Sequence, residues 1–125
     1  MSKLDKWQAI QAFWSQFNLP AYDENTVPDD AVMPYITYEA RTANLGQALF
    51  MTGQIFYYTK SWQEISQKAD EIAAYIGYGN KILPLKDGYM YISQGSPFAQ
   101  RMQEDSNGDV RQMVINIAVE FFTAD

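Results

Sequence analysis

Four carboxylates in one short stretch are the first residues of this sequence that could do chemistry. Asp23 and Glu24 precede Asp29 and Asp30 in LPAYDENTVPDDAVMP, which spans residues 19–34. Hard cations such as calcium bind several oxygen ligands, so the cluster is a candidate calcium site. Its spacing does not match the Asp-x-Asp-x-Asp-Gly pattern of a calcium-binding loop and is typical of a solvated acidic loop. We therefore predict that no metal binds here.

The absence of two residue types limits the enzymes that this chain can be. It contains no cysteine and no histidine, so it lacks thiolate nucleophiles, the commonest general base and the commonest transition-metal ligand. Ser93, Ser96 and the tyrosines therefore have no histidine to activate them. The segment GYGNK, from Gly77 to Lys81, resembles part of a phosphate-binding loop, but it follows a helix pattern, where the dipole has the wrong sign for an anion. We predict that the protein is not an enzyme and binds no cofactor.

The charge and the aromatic residues bear on nucleic-acid binding. The aromatic residues of ALFMTGQIFYYT could stack on bases, but the formal net charge is −6 and single-stranded binders need a positive groove. We predict instead that Phe50, Phe56, Tyr57 and Tyr58 pack in the core against helices. An acidic surface suits either plain solubility or a protein past which DNA slides without binding. No apolar run approaches the length of a membrane span, so we expect no membrane partner.

Two amphipathic helices and one long loop are predicted from the spacing of apolar residues and prolines. Residues 4–17 carry apolar side chains at steps of three and four, and Pro20 stops this helix. A second helix begins with a capping box of Ser61 and Glu64 and ends at Gly77. Between the first helix and the sheet, the loop 19–34 is long for a compact domain, which predicts a contact role. Its candidate docking residues are Tyr22, Asp23, Glu24, Asp29 and Asp30.

Several stretches alternate residue types with the period of a strand. They are YITYEARTA, ALFMTGQIFYYT with Gly53 as a candidate bulge, KILPL, YMYIS, FAQRMQED and the final run from Val110 to Phe122. Short turns between strands favour an antiparallel sheet. We predict a single α+β domain, 1–125, with helix 4–17, a proline-rich acidic loop 19–34, and the sheet and second helix within 35–122. The sheet is expected to have four to six mostly antiparallel strands, with both amphipathic helices packed on one face.

The final strand is long for so small a domain. Its thirteen residues extend for roughly 40 Å, whereas a compact chain of this length has a radius of gyration of about 14 Å. One face, with Ile115 and Ile117, is predicted to be core. The other face is too polar for a core and has few charges for a solvent face. We predict that the strand projects beyond the core and that this second face lines a ring or contacts a neighbour through Val114, Asn116, Ala118 and Glu120. A bent strand serving two parts of one sheet is the alternative.

Three stretches together resemble a class of phage protein. They are WQAIQAFWSQFNLPAYDENTVP, MPYITYEA and KSWQEISQKADEI. A tryptophan-bearing helix, a Leu-Pro-Ala-Tyr and Val-Pro loop, a Pro-Tyr-Ile-Thr-Tyr strand and a Ser-Trp helix follow one another. This order resembles minor structural proteins from the head–tail joining region of tailed bacteriophages and prophages of Gram-positive bacteria. Within that class the chain is most similar to the tail terminator, or tail completion, family.

The resemblance implies an α+β subunit that forms a ring, typically a hexamer, which caps the tail tube and then joins the tail to the head. Its partners would be other copies of itself, the tail tube protein and a head-completion or neck protein, with DNA passing through without specific binding. It also implies assembly in the cytoplasm of the bacterial host and a final location in the virion, at the interface of head and tail. Two alternatives stay open, namely another neck or minor tail component and a monomeric acidic adaptor or inhibitor.

Overall fold

The computed structural model describes residues 4–42, 47–77, 81–86, 88–102 and 108–123. Helix α1 spans Lys6–Ser15 and α2 spans Gln63–Ile76. The strands are β1 Ala21–Asp23, β2 Tyr35–Tyr38, β3 Ala48–Tyr58, β4 Lys81–Leu85, β5 Gly88–Met102 and β6 Val110–Thr123. Neither of these helices is long and apolar enough to cross a membrane.

The six strands form one sheet in the order β1-β2-β3-β6-β5-β4. β1 and β2 are parallel, and each of the other neighbouring pairs is antiparallel. The predicted fold class, α+β with a mostly antiparallel sheet, is confirmed.

One face of the sheet carries the hydrophobic core. The inward residues of β6 are all buried, as their alternation predicted; they are Met113, Ile115, Ile117, Val119 and Phe121. Trp14 of α1 lies directly over Gly53 on this face, and Ile65 and Ile72 of α2 belong to the same core cluster. At the other end of α2, the side-chain amide of Gln94 donates to the carbonyl oxygens of Ala73 and Gly77, at 3.2 and 3.1 Å.

The helices begin at residues other than those that the sequence predicted. α1 is shorter than 4–17 because it starts after a capping box, in which Asp5 accepts a hydrogen bond from the Gln8 amide at 2.8 Å. The predicted capping box of Ser61 with Glu64 is wrong, since the N-cap residue of α2 is Trp62 and has no side-chain cap. The Ser61 hydroxyl instead accepts from the Gln63 amide at 3.0 Å, which makes a local turn before the helix.

Two strand predictions also need correction. Gly53 is not a bulge, because it pairs in register with Tyr38 on one side and Ile115 on the other. The irregularity lies in β5 between Gln94 and Ala99, a segment that contains a proline without an N–H to donate. β5 therefore joins two stretches that were predicted as separate strands. The predicted loop 19–34 also contains a strand, β1, which the short sequence Ala-Tyr-Asp did not reveal.

The length of β6 has an explanation within the subunit. β6 pairs with β3 along Ala48–Tyr58 and with β5 along Gly88–Met102, so both of its hydrogen-bonding edges are occupied. The prediction that β6 projects beyond the core is therefore wrong, whereas the contact of its second face with a ring or a neighbour stays a prediction. β6 is long because it is the central strand that holds two other long strands together.

Candidate assembly surface

The face of the sheet opposite the core is the candidate site, and we call it the open face. Neighbouring strands present its residues in register, with Val114 beside Gln54 and Ala118 beside Phe50. Since side chains alternate along each strand, the pairing assigns its members directly. They include Tyr22, Tyr35, Thr37, Phe50, Thr52, Gln54, Phe56, Tyr58, Tyr89, Tyr91, Gln112, Val114, Asn116, Ala118, Glu120 and Phe122.

The four predicted contact residues of β6 lie together on the open face. Val114, Asn116, Ala118 and Glu120 are each half-buried. Asn116 already has a structural partner, because its side-chain amide donates to the Pro97 carbonyl oxygen at 3.0 Å and so holds the irregular part of β5 against β6. Val114 and Ala118 leave apolar surface in the middle of the sheet. Contact of these residues with a second subunit stays a prediction.

Aromatic side chains contribute the most exposed apolar surface of the open face. Phe50 is 75% exposed, Tyr58 66% and Tyr89 52%. The prediction that the aromatic residues of β3 pack in the core is correct for Tyr57 and wrong for Phe50, Phe56 and Tyr58. The signal was present in the sequence, because the alternation that buries Tyr57 turns its two neighbours outward.

The rings contact one another across strands. The Tyr22 and Tyr35 ring centroids are 5.8 Å apart, and those of Tyr35 and Phe56 are 5.2 Å apart, so three adjacent strands share one aromatic row. Nearer the β4 edge of the same face, the rings of Tyr91 and Phe122 lie 4.9 Å apart. Such packing stabilises each ring in place. The open face therefore presents ordered aromatic surface near both edges of the sheet.

Several polar side chains on or beside this surface are hydrogen-bonded within the subunit. Glu39 accepts hydrogen bonds from the amide and hydroxyl of Thr52, at 2.8 and 2.9 Å. Arg41 donates to a β3 carbonyl and lies 3.7 Å from the Glu39 carboxylate. The side-chain amides of Gln112 and Gln54 bond to each other. A partner that covered this surface would meet these groups already paired, but it would have to pair the Glu120 carboxylate and the hydroxyls of the open-face tyrosines, which make no hydrogen bond with any described residue.

The predicted docking loop is divided by the strand alternation of β1. Tyr22 belongs to the open face, whereas Asp23 points to the opposite side of the sheet. Glu24, Asp29 and Asp30 are exposed, and their side chains make no hydrogen bond or ion pair with any described residue. Within the part of the chain that the structure describes, no three Asp, Glu, His or Cys residues are grouped to hold a metal ion. The loop is therefore an acidic surface with three unpaired carboxylates.

A second charged feature escaped the sequence analysis, and we call it the basic cluster: Lys60, Trp62, Arg101 and Arg111. The Arg101 guanidinium lies 4.8 Å from the centroid of the Trp62 ring, and that of Arg111 lies 5.3 Å away. Arg111 also donates to the Lys60 carbonyl oxygen at 2.7 Å, and Lys60 lies 3.7 Å from Asp109. The two arginines are far from Trp62 in sequence, so no local pattern revealed the cluster.

Comparison with family models, with curated proteins and with solved structures found no match.

Proposed function

We propose that this chain is a structural subunit that acts by assembly, as a tail terminator at the head–tail junction of a tailed phage or prophage. In this role several copies form a ring that caps the tail tube and joins it to the head. The partners are other copies of the chain, the tail tube protein and a neck or head-completion protein. The net charge of −6 suits a ring through which DNA passes without binding.

The observation that carries the proposal is the exposed apolar character of the open face. Soluble monomers rarely expose large continuous apolar patches, and such patches commonly mark contact surfaces. Here Phe50 and Tyr58 are well over half exposed on a face that also carries Val114 and Ala118. The assignment to a phage junction comes from the sequence resemblance, and the open face supports the more general role in assembly.

The strand pairing of β6 bears on how such a contact would be made. Because β3 and β5 occupy both edges of β6, its contact with a neighbour uses side chains of the open face and not backbone pairing. Val114 and Ala118 are the central apolar residues of that contact. A carboxylate at either position would be buried without a partner when the neighbour binds.

The test is to place a charge on the open face without disturbing the core. Val114→Glu and Ala118→Glu should keep the circular dichroism and melting temperature of a folded subunit, because both side chains lie on the side away from the core. Ring formation, measured by electron microscopy and light scattering, and phage titre should both fall by at least tenfold. Gln67→Glu, on the exposed surface of α2, is the matched control and should assemble normally.

Two results would contradict the proposal. One is normal assembly and infection by both open-face variants. The other is a wild-type chain that stays monomeric at high concentration and never enters tail particles, as a monomeric adaptor or inhibitor would.

A further inference from the structure

Among the described residues, the positive charge of the basic cluster has a carboxylate partner only at Lys60. Lys60 has a carboxylate nearby, but Arg101 makes no ion pair or hydrogen bond with any described residue. The Nε of Arg111 is buried and has no hydrogen-bond partner among the described residues. Both guanidinium groups lie against one tryptophan ring, which holds them in place. Tryptophan and arginine are the residue types most often found at the energetic centre of protein interfaces.

The cluster borders an open edge of the sheet. β4 pairs with β5 only as far as Ile92, so the outer edge of β5 from Ser93 to Met102 has no strand partner in the described part of the chain. Arg101 lies on this free edge. An unpaired edge that carries arginine can receive another chain but is protected from unspecific pairing by its charge.

The opposite edge of the sheet has the opposite charge. β1, within the acidic loop 19–34, is the edge strand there. The part of the loop after β1 carries Glu24, Asp29 and Asp30, whose side chains have no partner among the described residues. No lysine or arginine occurs between Lys6 and Arg41, so every side chain in residues 7–40 is acidic or neutral. The two edges therefore have complementary charge.

Within the described residues, Glu24, Asp29 and Asp30 of the acidic loop make no ion pair or hydrogen bond with the basic cluster of their own subunit. β1 and β5 are separated by β2, β3 and β6, which places them about 19 Å apart at the usual spacing between strands. When two different surfaces of one molecule are complementary, copies of it join head to tail. Such a chain of copies closes into a ring if the rotation between neighbouring copies brings the last one back to the first. A second copy of this chain is thus the occupant that supplies the missing carboxylates.

We propose that the acidic loop of one copy, through Glu24, Asp29 and Asp30, binds the basic cluster around Trp62 and Arg101 of the next copy. This inference rests on the proposed ring and adds a second pair of surfaces, beside the open face, that joins its subunits. The charged pair sets which edges meet, and the open face supplies the apolar part of the contact.

Two charge-reversal variants, measured alone and mixed with each other, test the proposal. One variant, Asp29→Arg with Asp30→Arg, gives both surfaces positive charge. The other, Lys60→Glu with Arg101→Glu, gives both surfaces negative charge. Each variant alone should self-associate at least tenfold more weakly than wild type in sedimentation velocity. An equimolar mixture should recover assembly, because each reversed surface then meets one of opposite charge. Lys86→Glu, at an exposed lysine outside the cluster, is the control and should assemble like wild type.

The outcomes separate this inference from the proposed function. If both charge variants assemble like wild type, or if the mixture does not recover, the docking of loop on cluster is wrong while the ring proposal stands. If the cluster variant loses binding to duplex DNA and keeps self-association, the cluster serves nucleic acid and the inference is also wrong. If wild type neither self-associates nor enters particles, both proposals fall.

Discussion

Gly53 determines how closely α1 approaches the sheet. A Cβ atom built at this position would lie 2.5, 2.7 and 2.9 Å from three ring atoms of Trp14. No side chain fits in that space, so the tryptophan ring rests directly on the backbone of β3. Gly53, which the sequence suggested as a bulge, therefore allows the Trp14 ring to pack directly against the sheet.

Substitution of Gly53 by alanine should destabilise the subunit. The new methyl group forces the buried Trp14 ring to move, and overpacking of this kind costs about 1–3 kcal/mol of the free energy of unfolding. Urea denaturation measures the change. Gly108→Ala is the matched control, because a Cβ there meets nothing within 4 Å, and its effect should stay within about 0.5 kcal/mol. Equal stability of the two variants would show that α1 does not depend on this contact.

At the scale of elements, the acidic loop combines a short ordered strand with a segment that has few internal bonds. The Glu24 amide donates to the Tyr38 carbonyl oxygen at 3.0 Å and so extends the contact of β1 with β2. The amides of Val27, Asp29 and Asp30 donate no hydrogen bond to any described residue. This difference separates the part that belongs to the sheet from the part available to a partner.

Hydrogen exchange should distinguish these two parts of the loop. In the free subunit we expect fast exchange at Val27, Asp29 and Asp30 and slow exchange at Glu24, because local opening is easiest where the backbone has no partner. In the assembled ring the first three amides should become protected, and Glu24 should change little. The same exchange rates in both states would argue against any role of the loop in assembly.

At the scale of the whole molecule, two tyrosines link folding to alkaline pH. Burial raises the pKa of Tyr57, and the carboxylates of Glu64 and Glu71 raise it further. Burial also raises the pKa of Tyr38, with a smaller contribution from Asp23. Above about pH 10 the unfolded chain releases these protons while the folded chain keeps them, so the free energy of unfolding falls as pH rises. Below that pH the two states hold the same protons and stability is unaffected by these groups.

The variant Tyr57→Phe should therefore lose less stability between pH 9 and pH 11 than the wild type does. Urea denaturation across this range measures the slope of stability against pH. Tyr58→Phe, at an exposed ring of the same strand, controls for the loss of a hydroxyl group. A slope identical to wild type in Tyr57→Phe would mean that this buried hydroxyl does not contribute to alkaline unfolding.

The sequence by itself determined the local elements and the two faces of the long strand. Alternation along β6 assigned Ile115 and Ile117 to the core correctly, and it placed Val114 and Ala118 on the face away from it. These assignments succeed because the direction of a side chain in a strand depends only on its position along that strand. The same rule, applied to β3, would have placed Phe50 outside as well.

Only the tertiary structure decided the order of the strands and the sites that depend on it. The parallel pairing of β1, the central position of β6 and the approach of Arg101 and Arg111 to Trp62 all join residues far apart in sequence. Such contacts follow from how the two helices and six strands pack together as a whole, because each strand edge could pair equally well with several others. Local spacing contains no information on that choice, so both the free edge of β5 and the charges beside it became visible only in the folded chain.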